Sequence, residues 1–149
     1  MKTQSCKAKG RRLQQWVCGV LCCELDLPPE DVRSCSMGAG GEDVQLSERA
    51  RSVFPYSVEC KNRESHNVWQ SYQQASATAS PPLQPLVCIK RNKSRPLVVL
   101  DAEHFVQLHK RIKSLRERVD GIPPTPANSP DSRIDVVLAE PMALRATES

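Results

Sequence analysis

The chain has 149 residues, the usual size of one domain, and a net charge of +4. No window is long and apolar enough to span a membrane, and the apolar run after Arg12 lacks a cleavage site for a signal peptide. The seven cysteines form no C-x-x-C pair and the three histidines are not spaced like zinc ligands, which argues against a zinc site. Free cysteines on apolar faces are typical of a reducing compartment, so we expect a soluble, cytoplasmic protein.

The positive charge is concentrated in two segments on either side of an acidic centre. Residues 1–12 carry five basic side chains and no acid, and residues 90–118 carry nine basic side chains and three acids. Residues 13–89 carry five basic and nine acidic side chains. This pattern favours a protein that binds a polyanion around a metal site. Ordinary solvated surface charge would give the same pattern.

The first predicted element is an amphipathic helix over residues 10–25, after a mobile basic start. Its apolar stripe consists of Leu13, Trp16, Val17, Val20, Leu21 and Leu25. Residues 32–36 predict a short strand, and glycines in residues 38–41 predict a turn that leads to Glu42 and Asp43. The turn lacks the lysine–serine ending of a P-loop. Its glycines would let a polyanion backbone approach Asp43 closely.

Residues 56–62 alternate between apolar and polar side chains, which is the period of a half-buried strand. Because alternate side chains of a strand point to the same face, Glu59 and Lys61 should lie side by side. With Asp43 as a second carboxylate, this set suits metal-assisted phosphodiester hydrolysis: the acids hold a hard cation, and the lysine orients or deprotonates the attacking water. Glu42 ranks second as an acid, since strand alternation turns it away from the face of Asp43.

The chain between residues 62 and 80 predicts a polar connection followed by a helix that Asn67 caps. Trp69 and Tyr72 could stack on nucleobases, but their helical spacing favours a place in the core. His66, in the connection, could be a catalytic acid, although a lone loop histidine is usually a solvated residue.

Residues 86–90 and 97–101 are apolar runs that predict a hairpin with a strongly basic tip. Such a tip beside a hydrolytic site would contact phosphates without reading the sequence of the DNA. Asp101 is expected to cap a last helix, whose apolar side chains repeat by three and four and would pack on the sheet or on a second copy of the chain. From residue 120 the chain is rich in proline and predicts a flexible tail, in which residues 134–138 could form a strand.

Asp43 followed by Glu59-Cys60-Lys61 resembles the motif of the PD-(D/E)xK nuclease superfamily. Over the first two-thirds of the chain, the order of elements is most similar to the archaeal-type and phage-borne Holliday junction resolvases. The matching segments are Lys9-Gly10, Val32-Arg33-Ser34, Gly41-Glu42-Asp43-Val44, Val58-Glu59-Cys60-Lys61, Leu86-Val87-Cys88-Ile89-Lys90 and Leu97-Val98-Val99-Leu100. The resemblance implies a restriction-endonuclease-like α/β domain, with a central mixed sheet of four to five strands flanked by helices. We assign residues 1–119 to this domain and residues 120–149 to the proline-rich tail.

One position departs from the family pattern. Resolvases usually carry a glutamate four residues after the glycine of the Lys-Gly pair, and Gln14 stands there in this chain. A neutral amide cannot supply the charge of a carboxylate at a metal, although it can still hold a water molecule or a phosphate oxygen. Glu24 is the nearest other acid on the helix, but it lies at the far end.

The resemblance implies a Mg²⁺-dependent (or Mn²⁺-dependent) endonuclease that cleaves branched DNA in recombination or repair, in a prokaryotic or phage-infected cell. It implies Asp43, Glu59 and the main-chain carbonyl of Cys60 as metal ligands, with Lys61 beside the attacking water. Gln74 lies where the superfamily often places a polar group near the catalytic lysine. The predicted DNA-contacting residues are Lys9, Arg11, Arg33, Lys90, Arg91, Lys93 and Arg95.

A homodimer is expected, because a four-way junction has approximate two-fold symmetry and needs two nicks. Two other functions stay open at this point. The chain could be a nuclease of the same superfamily that acts on a different DNA substrate. It could also be a catalytically degenerate DNA-binding protein, for which the substitution at Gln14 is the main support.

Overall fold

A five-stranded mixed sheet with helices packed against it forms the centre of the fold. The structure is a computed structural model that describes the backbone of residues 2–35 and 41–119 and the side chains of residues 6–35 and 41–119. In chain order the elements are α1 (Lys2–Glu24), β1 (Val32–Ser34), β2 (Val44–Leu46), α2 (Glu48–Val53), β3 (Tyr56–Asn62), α3 (Val68–Thr78), β4 (Gln84–Lys90), β5 (Leu97–Val99) and α4 (Ala102–Arg118). The predicted α/β class, with a mixed sheet flanked by helices, is confirmed.

The strands lie in the sheet in the same order as in the chain. β1 and β2 pair antiparallel, as do β4 and β5, whereas β3 and β4 run parallel and are joined by α3. β2 and β3 pair antiparallel only through Val44 and Val58. Since β2 begins at Val44, none of its residues pairs with the carboxyl-terminal half of β3.

The core lies between α1 and the sheet. Leu13, Val17 and Leu21 of α1 are buried together with Val44 and Val58 of the central strands. The first five residues of β3 are all buried, including Ser57 and Glu59. The prediction of a half-buried strand is therefore corrected, because successive side chains point to opposite faces and both faces of β3 are covered.

The two helix caps that the sequence predicts are confirmed. Asn67 Oδ1 accepts a hydrogen bond of 3.1 Å from the Gln70 amide, and Asp101 Oδ1 accepts one of 2.9 Å from the His104 amide. α1 begins at Lys2 rather than at residue 10, so the predicted mobile start is wrong from residue 2 onward. The segment after β2 forms α2, and Ser47 Oγ accepts a hydrogen bond of 3.1 Å from the Ala50 amide at its start.

For Trp69, the predicted place in the core is wrong. Its side chain is 81% exposed, whereas helical spacing favoured a place in the core. The buried residue of α3 is Ala75, and Tyr72 is only half-buried. The face of α3 that packs on the sheet therefore does not include Trp69.

The chain divides into two compact units, Met1–Lys110 and Arg111–Ser149. Of the second unit, the structure describes residues 111–119, which contain the end of α4. The predicted tail with its strand, and most of the predicted glycine turn, lie outside the described residues. All seven cysteines are free thiols, and none of the described helices is both long and apolar enough to cross a membrane.

Candidate metal centre

Asp43 directly precedes β2, and its carboxylate lies beside β3. The Asp43 amide donates a hydrogen bond of 3.0 Å to the Val58 carbonyl, which fixes the residue against the middle of β3. Its Oδ2 then accepts a hydrogen bond of 2.7 Å from the Cys60 amide. Because β2 no longer pairs with β3 at this point, the side chain takes up a backbone donor of β3 that a neighbouring strand would otherwise use.

Gln14 reaches the same carboxylate from α1. Its Nε2 donates a hydrogen bond of 2.8 Å to Asp43 Oδ1, and the residue is only 3% exposed. Gln14 Oε1 is buried and has no hydrogen-bond partner within the described part of the chain. Asp43 determines which way the Gln14 amide is turned. In the flipped amide, the Gln14 oxygen would face the Asp43 carboxylate oxygen, and both are acceptors.

Glu59 and Lys61 lie side by side at the carboxyl-terminal end of β3. Lys61 Nζ donates to Glu59 Oε1 at 2.5 Å, and their side chains are 13% and 8% exposed, respectively. The prediction that these side chains share one face of the strand is therefore confirmed.

The environment of Glu59 raises the pKa of its carboxyl group. Burial is the largest cause, and the negative charge of Asp43 raises the pKa further. The hydrogen bond and the positive charge of Lys61 act in the opposite direction and are outweighed. The charge of Asp43 acts on the carboxyl group of Glu59, and a cation bound by both carboxylates would relieve their repulsion.

The donor set fits a hard divalent cation. Among residues 6–35 and 41–119, no group of three or more histidine, cysteine, aspartate and glutamate side chains could hold a metal ion. Mg²⁺, however, usually keeps several waters and uses one or two carboxylates. Asp43 and Glu59 supply those, and the unpartnered Oε1 of Gln14 could accept a hydrogen bond from a water of the cation.

Cys60 takes part in this centre through its backbone rather than its thiol. Its side chain is buried beside Cys88, its partner residue on β4. The hydrogen bond with Cys88, together with burial, raises the pKa of the Cys60 thiol well above its ordinary value of 9.0. The thiol is therefore neutral at physiological pH and is a poor metal ligand. The carbonyl of Cys60 as a ligand stays a prediction.

Two acids and one glutamine from the sequence analysis lie away from this carboxylate pair. Glu42 forms an ion pair of 3.2 Å with Arg51, in agreement with its second rank. Glu24 is exposed at the last position of α1. Gln74 is exposed on α3, and its side chain makes no hydrogen bond in the described ranges, so its catalytic role stays a prediction.

The two basic segments of the sequence meet beside the centre. Lys9 Nζ donates a hydrogen bond of 3.0 Å to Asn92 Oδ1 in the loop between β4 and β5, and the Lys9 carbonyl accepts one of 3.0 Å from Asn62 at the end of β3. These contacts join α1, β3 and the basic tip, although residues 9 and 92 are far apart in the chain.

The other predicted DNA-contacting residues differ in their exposure. Arg11, Arg91, Lys93 and Arg95 are exposed, and Arg33 is exposed on β1, where it lies opposite Gln45. Lys90 is only half-buried, but its Nζ donates a hydrogen bond to the Ser94 carbonyl within the loop. DNA contact by any of these residues stays a prediction.

The contact between Gln14 and Asp43 is the feature of the centre that sequence reasoning missed. One signal could have found it. Gln14 lies three residues before Val17 and seven before Leu21, which places a polar side chain on the buried stripe of α1. A buried amide needs a polar partner, and Asp43 provides it.

Comparisons with models of protein families, with curated proteins and with solved structures give no match for this chain. The resemblance to the PD-(D/E)xK nucleases therefore depends on the residues and the geometry described above.

Proposed function

We propose that the chain is a divalent-cation-dependent nuclease that hydrolyses phosphodiester bonds in DNA. The observation that carries this proposal is the proximity of three side chains to the end of β3: Lys61 donates a hydrogen bond to Glu59, and Asp43 accepts one from the amide of Cys60, the residue between them. A carboxylate and an amine from β3, with a second carboxylate from the residue before β2, supply the cation ligands and the positive charge that this hydrolysis requires.

Each residue has a distinct role in the proposed reaction. Asp43 and Glu59 would hold Mg²⁺ or Mn²⁺, which lowers the pKa of bound water and offsets charge on the phosphate. Lys61 orients the attacking water and adds a second positive charge beside the scissile phosphate. Glu59 must be ionised to act as a ligand, and the amine of Lys61 favours that form. Gln14 holds the carboxylate of Asp43 in a fixed orientation.

The proposed substrate is branched DNA, and the proposed active form is a homodimer. The basic residues around Lys9 and the β4–β5 loop give the end of the sheet a positive surface that could follow a DNA backbone. β5 is an edge strand with exposed Leu97 and Val98, and α4 begins with exposed Phe105 and Val106. An apolar edge of this kind suits pairing with a second copy of the chain. Sedimentation velocity would detect the resulting dimer.

Cleavage of a labelled four-way junction in the presence of Mg²⁺ tests the proposal, with flap, nicked and linear duplexes compared in parallel. Asp43→Asn, Glu59→Gln and Lys61→Ala should each lower the cleavage rate by at least about a hundredfold, because each removes a ligand or a charge needed in the transition state. Junction binding in a gel-shift assay should survive in all three.

Glu42→Gln is the matched control for these variants. It removes a carboxylate adjacent in sequence to Asp43, but one that is paired with Arg51, so cleavage should stay close to the wild-type rate. Normal cleavage by all three variants of the proposed site would refute the assignment.

A non-catalytic DNA-binding protein is the second candidate, and Gln14 is the observation that favours it. An amide in place of the family's carboxylate lowers the negative charge available to a cation. Calorimetric titration with Mg²⁺ or Mn²⁺ separates the two candidates. Binding that disappears in Asp43→Asn supports the enzyme, whereas a protein that binds DNA but neither binds a cation nor cleaves supports the second candidate.

A further inference from the structure

Trp69 is the most exposed of the large apolar side chains in the described part of the chain, at 81% of its surface. The other tryptophan, Trp16, packs against the core. Burying an aromatic side chain normally stabilises a protein by a few kcal/mol. An indole left in water forgoes that stabilisation, so its position and surroundings can indicate a ligand.

The chain places Trp69 close to the end of β3 that bears Lys61. α3 starts directly after the connection over residues 63–67, and Trp69 is in its first turn. That connection is fixed to the end of β4, since the Lys90 carbonyl accepts a hydrogen bond of 3.0 Å from the Arg63 amide and lies 3.1 Å from His66 Nε2. Glu64 Oε1 also accepts a hydrogen bond of 2.8 Å from the Asn92 amide in the basic loop.

The charge around this connection identifies the class of ligand. Arg63, Arg91 and Lys93 are exposed on the connection and on the loop bonded to it. A cationic rim repels a cationic ligand and gives little attraction to an uncharged apolar peptide, but it attracts phosphates. Exposed aromatic rings and exposed cations together are the combination that binds single-stranded nucleic acid, where the bases stack on the ring and the cations follow the backbone.

We propose that Trp69 stacks on an unpaired nucleobase and so selects DNA with a single-stranded or branched segment over continuous duplex. The bases of a continuous duplex are already stacked on each other and offer no free face to the indole, whereas a branch point or a single strand does. The inference depends on the proposed function only for DNA as the ligand. It does not depend on cleavage.

Binding to Asp43→Asn protein without divalent cations tests this inference separately from catalysis. The probes are fluorescein-labelled oligo(dT), a four-way junction and a linear duplex of equal length, measured by anisotropy. Adding Trp69→Ala should weaken binding of oligo(dT) and of the junction by roughly 5- to 100-fold and leave duplex binding within about twofold. Trp69→Phe should restore most of the loss, and Trp69→Leu should not, because leucine is apolar but has no ring. Circular dichroism checks that the variants are folded.

Several outcomes would overturn the inference: an equal loss for all three DNAs, no loss for any, full rescue by leucine, or a protein that binds none of the probes. Sedimentation velocity tests the other possible partner of this surface, which is a second copy of the chain. If Trp69→Ala dissociates a dimer and the loss of binding follows the dissociation, the side chain is an interface residue and not a stacking site.

Discussion

One group of the Gln14 side-chain amide has a hydrogen-bond partner and the other has none. Nε2 binds Asp43, while Oε1 is buried with no partner among the described residues. An unsatisfied buried acceptor costs on the order of 1–3 kcal/mol. A water molecule held by a cation between Asp43 and Glu59 would supply the missing donor. The centre would then be more stable with a cation than without one.

Changing Gln14→Glu tests this argument through cation affinity. The new carboxylate would face Asp43 directly, so we expect a lower melting temperature in EDTA. With Mg²⁺ or Mn²⁺ we expect a larger thermal stabilisation than in the wild type and a dissociation constant lower by about tenfold, because a third negative charge favours the cation. Differential scanning fluorimetry and calorimetry measure both effects.

Gln15→Glu is the matched control, since Gln15 is the neighbouring residue and is exposed on the same helix. It should change neither quantity appreciably. If Gln14→Glu binds the cation no more tightly than the wild type does, Gln14 does not face the cation.

Glu59 makes the stability of the folded chain depend on pH. Its folded-state pKa is raised above the ordinary value of 4.5, chiefly by burial, so between pH 4.5 and the folded-state pKa the folded chain holds more of this proton than the unfolded chain does. The stabilising effect of this proton is complete below pH 4.5 and is lost as the pH rises through the folded-state pKa. Each unit of difference in pKa corresponds to about 1.4 kcal/mol.

Without divalent cations, the wild-type chain should therefore lose stability relative to Glu59→Gln as the pH rises from 4 to 8, because the amide has no proton to lose. Urea unfolding at a series of pH values measures the difference in free energy of unfolding between the two proteins. A difference that is independent of pH, or one that favours the wild type increasingly at high pH, would contradict the raised pKa.

At the scale of elements, the sequence was sufficient wherever the signal is local. The alternation in residues 56–62 predicted β3 and the shared face of Glu59 and Lys61, because a period of two is a property of the strand itself. The caps at Asn67 and Asp101 were predicted for the same reason, since a cap involves only neighbouring residues.

Features that depend on distant contacts were not predicted. Ser57 is buried because a second layer covers β3, and a strand's own alternation does not reveal how many layers lie on it. Trp69 is exposed because Ala75, six residues later, marks the face of α3 that packs on the sheet. The extra turns of α1 before residue 10 lack an apolar stripe, so hydrophobic periodicity gives no signal for them.

The candidate centre combines both kinds of feature. The proximity of Asp43 to β3 follows from a strand register defined by the single pair of Val44 and Val58, and the sequence alone does not fix a register. The contact between Gln14 and Asp43 joins residues 29 positions apart and requires α1 to lie across β2 and β3. A family motif indicated which residues to consider, and only the fold could bring them together.

At the scale of the whole molecule, folding gathers charge that the sequence keeps apart. The acidic centre of the chain supplies Asp43 and Glu59, while the amino-terminal basic segment and the β4–β5 loop meet through Lys9 and Asn92. Glu59 is buried and Asp43 is half-buried, whereas the positive side chains of the loop are exposed. A polyanion approaching this end of the sheet would therefore meet positive charge first, and the less accessible acids would act on a phosphate already bound.

This arrangement predicts that the basic loop contributes affinity without discrimination. Arg91→Gln removes one exposed positive charge, so it should weaken the binding of single-stranded, branched and duplex DNA by a similar factor. For duplex DNA it should also reduce the slope of log affinity against log salt concentration by about 0.9, the value for one lost phosphate contact. Anisotropy titrations between 50 and 300 mM NaCl measure the slope, and Arg49→Gln on α2 is the control for loss of an exposed charge elsewhere.

A comparison of Arg91→Gln with Trp69→Ala distinguishes a phosphate contact from a stacking contact. Loss of a stacking contact should lower affinity for unpaired bases while leaving the salt slope unchanged, because no counterion is released by a neutral ring. Loss of a phosphate contact should do the reverse, with a changed slope and no preference among DNAs. If Arg91→Gln leaves the slope intact, or if Arg49→Gln changes it equally, the positive loop is ordinary solvated surface and the DNA must follow a different path across the molecule.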